Sequence, residues 1–181
     1  TITEQGIERI SQIVELVRRY ARAGFSSDAV RFSIDGSISD VIRLIHLPHA
    51  TVTVHTNLRC GEALVGVRPE ELHLVTRNLV QNAVEAVGEA GNVWVTAEQQ
   101  NGEVVIEVRD DGPGIKSENL ARIFAPFFST KETGKGMGLG LALAFQIVRQ
   151  GGGVITVESA VAAGATFTVR LPLKHEHIPS V

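Results

Sequence analysis

The run Gly134-Lys135-Gly136-Met137-Gly138-Leu139-Gly140 leads straight into an apolar helical stretch. Alternate residues without a Cβ let backbone amides approach a ligand closely, and a helix N-terminus offers unpaired N–H groups and a positive dipole end to an anion. A phosphate chain is the natural guest, although a glycine hinge or a tight helix-packing seam would use the same residues. The run is not a P-loop, because Lys135 is followed by Gly136 rather than Ser or Thr. A second stretch, Asp110-Asp111-Gly112-Pro113-Gly114-Ile115, follows an apolar, β-branched segment. An ionised carboxylate only accepts hydrogen bonds, so a buried Asp at a strand end suits a ligand amine, and the glycines leave room for a flat ring. The same residues also make an ordinary turn. In the third stretch, Asn78-Leu79-Val80-Gln81-Asn82, a spacing of four puts two carboxamides on one helix face. Their oxygens are hard donors suited to Mg2+, with phosphate and water completing its octahedron. Two polar residues on a solvated face are the alternative. Against it, Asn82 interrupts an apolar stripe, where an unsatisfied amide is costly.

These residues need elements to hold them. Ile7, Ile10, Ile13, Val14, Val17 and Tyr20 fall at helical spacing opposite a charged face, and Gly24 is a plausible stop. Ser26 to Gly36 reads as a linker, followed by a short helix over Ile38 to Ile45 closed by Pro48. Thr51 to Thr56 reads as a strand. Pro69, with Glu70 and Glu71 in the first turn, opens the helix that carries Asn78 and Asn82 and runs to Ala86. Asn92 to Glu98 and Glu103 to Val108 form a hairpin. A long irregular stretch, Asp110 to Gly136, contains a short helix around Glu118 to Phe124 and is of the length usually reserved for function. Met137 to Gln150 is a further helix, Gly151 to Gly153 ends it, and Val154 to Glu158 and Ala165 to Leu171 close the chain as a hairpin before a polar tail. Helices and hairpins without regular strand–helix alternation predict an α+β fold, a two-layer sandwich on a mixed, mainly antiparallel sheet.

Composition narrows the function. The 181 residues are 44% hydrophobic, enough for one packed domain with a short appendage. A net charge of −3 leaves no basic surplus for bulk nucleic-acid binding, and no apolar run is long enough to span a bilayer. The single cysteine, Cys60, has no partner for a disulfide or a structural zinc site. Nine of the 18 glycines lie between Gly112 and Gly153, so the excess belongs to the stretches described above rather than to the chain at large.

Five blocks, in order over about Phe32 to Pro172, resemble the ATP-binding catalytic domain of sensor histidine kinases, within the fold family shared with gyrase B, Hsp90 and MutL. NLVQNAVEA is similar to its asparagine box, DDGPGI to the first glycine box and IFAPFFSTK to the phenylalanine box. GKGMGLGLALA is similar to the second glycine box and GATFTVRLP to the closing strand. PFFSTK followed by GMGLGLA is most similar to the nitrogen-regulation and oxygen-sensing branch. The resemblance implies that Asp110 accepts from the adenine amine with Thr166 helping through water or a direct contact, that Gly112 and Gly114 admit the ring, and that Ile115 packs on it. It implies Mg2+ held by Asn82 with Asn78, and a triphosphate, with ADP as product, lined by Gly136, Met137, Gly138, Leu139 and Gly140. Lys131 and Lys135 would neutralise phosphate charge from an ATP lid, which Phe124, Phe127 and Phe128 anchor rather than take part in chemistry, at least two of them as plain core. In gyrase-like ATPases a water-activating glutamate stands four residues before the metal asparagine. Here that position is Asn78, which takes no proton, so transfer to an outside nucleophile is favoured over hydrolysis.

The implied activity is Mg-ATP-dependent phosphoryl transfer to a histidine on a dimerisation hairpin, for relay to a response-regulator aspartate. Related implications are a serine-kinase or anti-sigma-type module of the same fold, or a nucleotide-binding scaffold without turnover. None of the six histidines is placed as the acceptor: His46 and His49 flank Pro48, His55 is in a strand, His73 is on the asparagine helix, and His175-Glu176 lies in the tail with His177. Residues 1–24 instead resemble the second helix of the hairpin, which puts the acceptor upstream or on another protein. The expected organisation is that helix, a linker over 25–37, a catalytic domain over 38–174 and a tail over 175–181. Expected partners are the acceptor hairpin, a receiver domain and a second copy of the full-length protein. This segment is expected to be cytoplasmic and to make no contact with nucleic acid or membrane.

Overall fold

The computed structural model describes residues 29–45, 47, 51–130 and 138–175, together with Val14, which is helical and exposed. The rest of the expected leading helix, His46, Pro48 and His49, and the segment 131–137 lie outside the described residues.

The first departure from expectation lies in the stretch read as a linker. Val30–Ser33 is a strand, β1, and Ile34–Leu44 is helix α1, capped where Ser33 Oγ accepts from Gly36 N–H at 3.0 Å. Ser33 and Gly36 are a helix start rather than part of a flexible connection. β2 (Val52–Arg59) is followed by β3 (Glu62–Val65), which pairs antiparallel with β1 as a separate two-stranded sheet. α2 (Pro69–Val87) carries both asparagines. Pro69 takes its first position, where a missing N–H is no loss, and Glu71 Oε2 accepts from Arg68 N–H at 2.9 Å.

β4 (Gly91–Gln100) and β5 (Glu103–Asp110) form the expected hairpin. The short α3 (Ser117–Leu120) ends earlier than the spacing predicts, and α4 (Gly140–Gln150) starts three residues later. β6 (Val154–Ser159) and β7 (Ala165–Pro172) close the chain, and Leu173 and Lys174 tie back to β3 through a bridge to Val65 and a 2.8 Å bond to the Leu64 carbonyl.

The larger sheet has the order β2-β4-β5-β7-β6, parallel between β2 and β4 and antiparallel elsewhere. Its alternation explains the layering. Val93, Val95, Val104, Ile106, Val108, Phe167 and Val169 are buried on one face, against which α2 packs over β4 and β5 and α4 over β6 and β7. Leu72, Val75, Leu79, Val80, Ala83 and Val84 are the buried stripe of α2. Each such side chain contributes about 1.5–3 kcal/mol by leaving water, so this stripe fixes the rotation of the helix and hence the direction of Asn78 and Asn82. The other face of the sheet carries polar rows. One row crosses all five strands: His55, Trp94, Arg109, Thr166 and Glu158. His55 stacks on Trp94 with ring centroids 5.6 Å apart, and the Arg109 guanidinium lies 5.2 Å from the same ring.

Candidate functional site

The last residue of β5 is Asp110, 3% exposed and on the helix-facing side of the sheet. Its carboxylate accepts from Gly112 N–H at 2.9 Å and from the Ala165 backbone. Burial pushes its pKa above the ordinary carboxylate value, against the pull of those two donors, and the charge of Asp111 adds to the rise. A carboxylate held this way keeps acceptor capacity for a ligand donor.

The loop after it is stapled to the β6–β7 turn. Ile115 N–H donates to Ser159 Oγ at 2.8 Å, Ser159 Oγ donates to the Gly164 carbonyl at 2.6 Å, and Ala162 N–H donates to the Pro113 carbonyl at 2.8 Å. Gly114 (φ +71°) and Gly164 (φ +74°) make that contact possible: a Cβ on the first would overlap the Ala160 carbonyl oxygen, and on the second that of Asp110. At Gly112 a Cβ would stand 2.9 Å from Asp110 Oδ1 and 3.0 Å from the Ala86 carbonyl oxygen. The Asp110 loop thus rests on the C-terminal part of α2.

The second glycine element rests on the same helix. A Cβ on Gly140, the first residue of α4, would stand 2.9 Å from Asn78 Oδ1. Asn78 Nδ2 is buried and has no hydrogen-bond partner among the described residues. Asn78, Asn82 and Ala86 follow at steps of four, about 6 Å each. α2 is therefore a floor with Gly140 at one end, Gly112 and Asp110 at the other, and Asn82 between.

Gly138 bonds through its carbonyl to Phe127 N–H at 2.9 Å. Leu139 is 1% exposed, so only its backbone is available to a ligand. Ile115 packs at the edge of the core, as do Phe124 and Phe128, whereas Phe127 is 69% exposed. Thr166 is not brought to Asp110. The register sets it opposite Arg109 and Glu158, on the sheet face away from the helices, and the backbone that reaches Asp110 belongs to Ala165. Lys131, Lys135, Gly136 and Met137 lie outside the described residues. Ser159 and Gly164 were not among the expected site residues; their part appears only once β6 and β7 are paired. Among the described residues no group of three His, Cys, Asp or Glu side chains could hold a metal, and no helix is long and apolar enough to cross a membrane.

The pattern of the histidine kinase-, DNA gyrase B- and HSP90-like ATPases matches residues 67–175, from the start of α2 to the end of the sheet, and the chain belongs to this family of nucleotide-binding domains. Its relatives include the sensor histidine kinase ZraS of Escherichia coli (strain K12), 45% identical over 105 residues, 58% of this chain and 22% of ZraS. It is also similar to full-length ShkA in complex with AMPPNP, at 27% identity and a TM-score of 0.77, covering 98% of this chain and 38% of ShkA. Histidine kinase ThkA in complex with the response regulator TrrA matches at 27% identity and a TM-score of 0.68, covering 93% of this chain and 48% of ThkA. The chain thus spans 22% of the length of the curated relative named here.

Proposed function

We propose that the chain is the catalytic part of a sensor histidine kinase, which binds Mg-ATP and passes the γ-phosphoryl group to a histidine of a dimerisation hairpin, none of this chain's six being the acceptor, for relay to a response-regulator aspartate. The observation that carries this is the α2 floor, with a buried acceptor-only carboxylate at one end and an orphaned carboxamide beside the start of α4 at the other. In this reading Asp110 accepts from the adenine exocyclic amine. Guanine presents a carbonyl at that edge, so ATP is preferred over GTP. Gly112 and Gly114 give the ring its room, and Ile115 packs beside it.

Asn82, with Asn78, faces the phosphates and their Mg2+. The donor set fits that ion: two carboxamides and no acidic cage suit a cation that takes its other ligands from phosphate and water. When bound, Mg2+ offsets charge on the transferring phosphoryl group. The chain's own residues hold and orient. The backbone N–H groups at the start of α4 face the triphosphate, and Lys131 and Lys135 add positive charge. Neither Asn78 nor Asn82 is a base, which fits transfer to an incoming nucleophile, a reaction that needs positioning and charge neutralisation above all. The complexes of ShkA with AMPPNP and of ThkA with TrrA support the nucleotide and the receiver-domain partner. Residues 1–24 are read as one helix of the acceptor hairpin, through which the full-length protein pairs with a second copy.

Titration calorimetry with ATP, with and without Mg2+, tests the binding half of this reading, and radiolabelled ATP with a separately supplied acceptor hairpin tests the transfer half. Mg-dependent ATP binding and an acid-labile phosphoprotein are expected. Absence of binding at millimolar Mg-ATP overturns the reading, and an acid-stable product moves it to hydroxyl transfer.

A further inference from the structure

One residue pair beyond Val93 and Asp110 on the β4–β5 ladder, Asn92 lies opposite Asp111. Asn92 N–H donates to Asp111 Oδ1 at 2.8 Å, Asn92 Nδ2 donates to Oδ2 at 2.9 Å, and Asp111 N–H donates to the Asn92 carbonyl at 3.3 Å. The side-chain bond, then the backbone bond, holds the Asp111 carboxyl below the ordinary range. Gly91 leaves the space for it, since a Cβ there would stand 2.6 Å from Asp111 Oδ1. An ionised Asp111 only accepts, so the Asn92 amide must turn its nitrogen toward it and its oxygen away. That oxygen lies 3.0 Å from His55 Nε2, which therefore carries the proton of the pair.

Successive side chains of a strand point to opposite faces. Holding Asp111 outward therefore holds Asp110 inward. The inward position needs support, because an ionised carboxylate is costly to bury and a small rotation of the strand end would release it to water.

We propose that Asn92, whose amide oxygen meets His55 on its other side, is a positioning residue for base recognition: its grip on Asp111 fixes the strand-end rotation that presents Asp110 to the adenine amine. This rests on the reading of Asp110 given above.

The test is calorimetry of Mg-ATP and Mg-GTP on the whole chain, for wild type, Asn92→Ala, Asp111→Ala, the double variant and Asp110→Asn, with thermal unfolding confirming that each is folded. Each single change at 92 or 111 is expected to weaken ATP by about three- to tenfold, the net worth of one ordinary hydrogen bond, since the contact acts on the base only through Asp110, and to narrow the preference over GTP. The double variant should be no weaker than the worse single, because both act through one contact. The isosteric Asp111→Asn, which keeps one acceptor oxygen, should lie between wild type and Asp111→Ala, and it serves if an alanine variant does not fold. Wild-type affinity and preference in folded Asn92→Ala, or additive losses in the double variant, overturn the proposal. If Asp110→Asn weakens ATP while Asn92→Ala does not, the clamp alone fails. If Asp110→Asn leaves ATP binding intact, the base-recognition reading fails with it.

Discussion

The two ends of α2 are finished to different degrees. At the Ala86 end, Asp110 already receives two backbone N–H groups, its loop is stapled to the β6–β7 turn, and its neighbour Asp111 is gripped from the opposite strand. At the Asn78 end, a carboxamide nitrogen is buried beside Gly140 without a partner among the described residues. The first arrangement suits selection of a base by a rigid acceptor. The second leaves a polar group to be completed by something that arrives, as expected where phosphates and a cation are bound and released. On the proposed reading, recognition and chemistry are separated along one helix.

The widest separation should come from Asn82→Ala. Removing the side chain proposed to face Mg2+ is expected to lower phosphoryl transfer at least about 100-fold, while ATP affinity measured with chelator stays near wild type. Asp110→Asn should do the reverse, weakening ATP by about 10- to 100-fold, as expected for a lost hydrogen bond to a charged group, with transfer recovering at saturating nucleotide. If both variants lose binding and transfer alike, the two ends are not distinct. Gly164→Ala should destabilise the domain by about 2–3 kcal/mol in chemical denaturation, from the left-handed conformation and overlap with the Asp110 carbonyl, which has no side-chain freedom to yield. Gly140→Ala meets only the far end of Asn78, so a stability change within about 1 kcal/mol and a few-fold slower transfer are expected.

The smallest effect is in the pH dependence of the nucleotide-free domain. Asp110 is raised in the folded state, so its contribution to stability is fully present below the ordinary carboxylate pKa and is lost as pH rises through the folded value. Asp111 is lowered, so its contribution is present above the ordinary pKa and is lost as pH falls through the folded one. A series of melting temperatures should therefore show Asp110→Asn gaining on wild type at neutral pH, with the gap closing as the solution is acidified. A gap that is constant with pH would mean that Asp110 is not held against its burial.

How much of this was legible in the sequence depends on the range of the interaction. Asn78 and Asn82 are four residues apart on a helix with a strong apolar stripe, and Asp110 ends a strand rich in β-branched residues, so local pattern was enough to place them on their elements, while the roles expected of them came from the family resemblance. The Thr166 expectation failed on parity. One residue along β7 reverses the face, and only the pairing with Arg109 shows which face that is. β1 and β3 are four residues each and stabilise one another across 30 residues of chain, so neither carries a periodic signal of its own. The grip of Asn92 on Asp111 spans 19 positions and depends on the hairpin register. Ser159 is likewise silent until its strand is placed.

The row that crosses the outer face of the sheet contains the chain's single tryptophan. Trp94 is two residues along β4 from Asn92 and sits between His55 and Arg109, the latter two residues before Asp111. The chain therefore carries a native optical probe at the strand end that holds the Asp110 loop. Its emission can follow rearrangement there without a label, and no second indole clouds the signal.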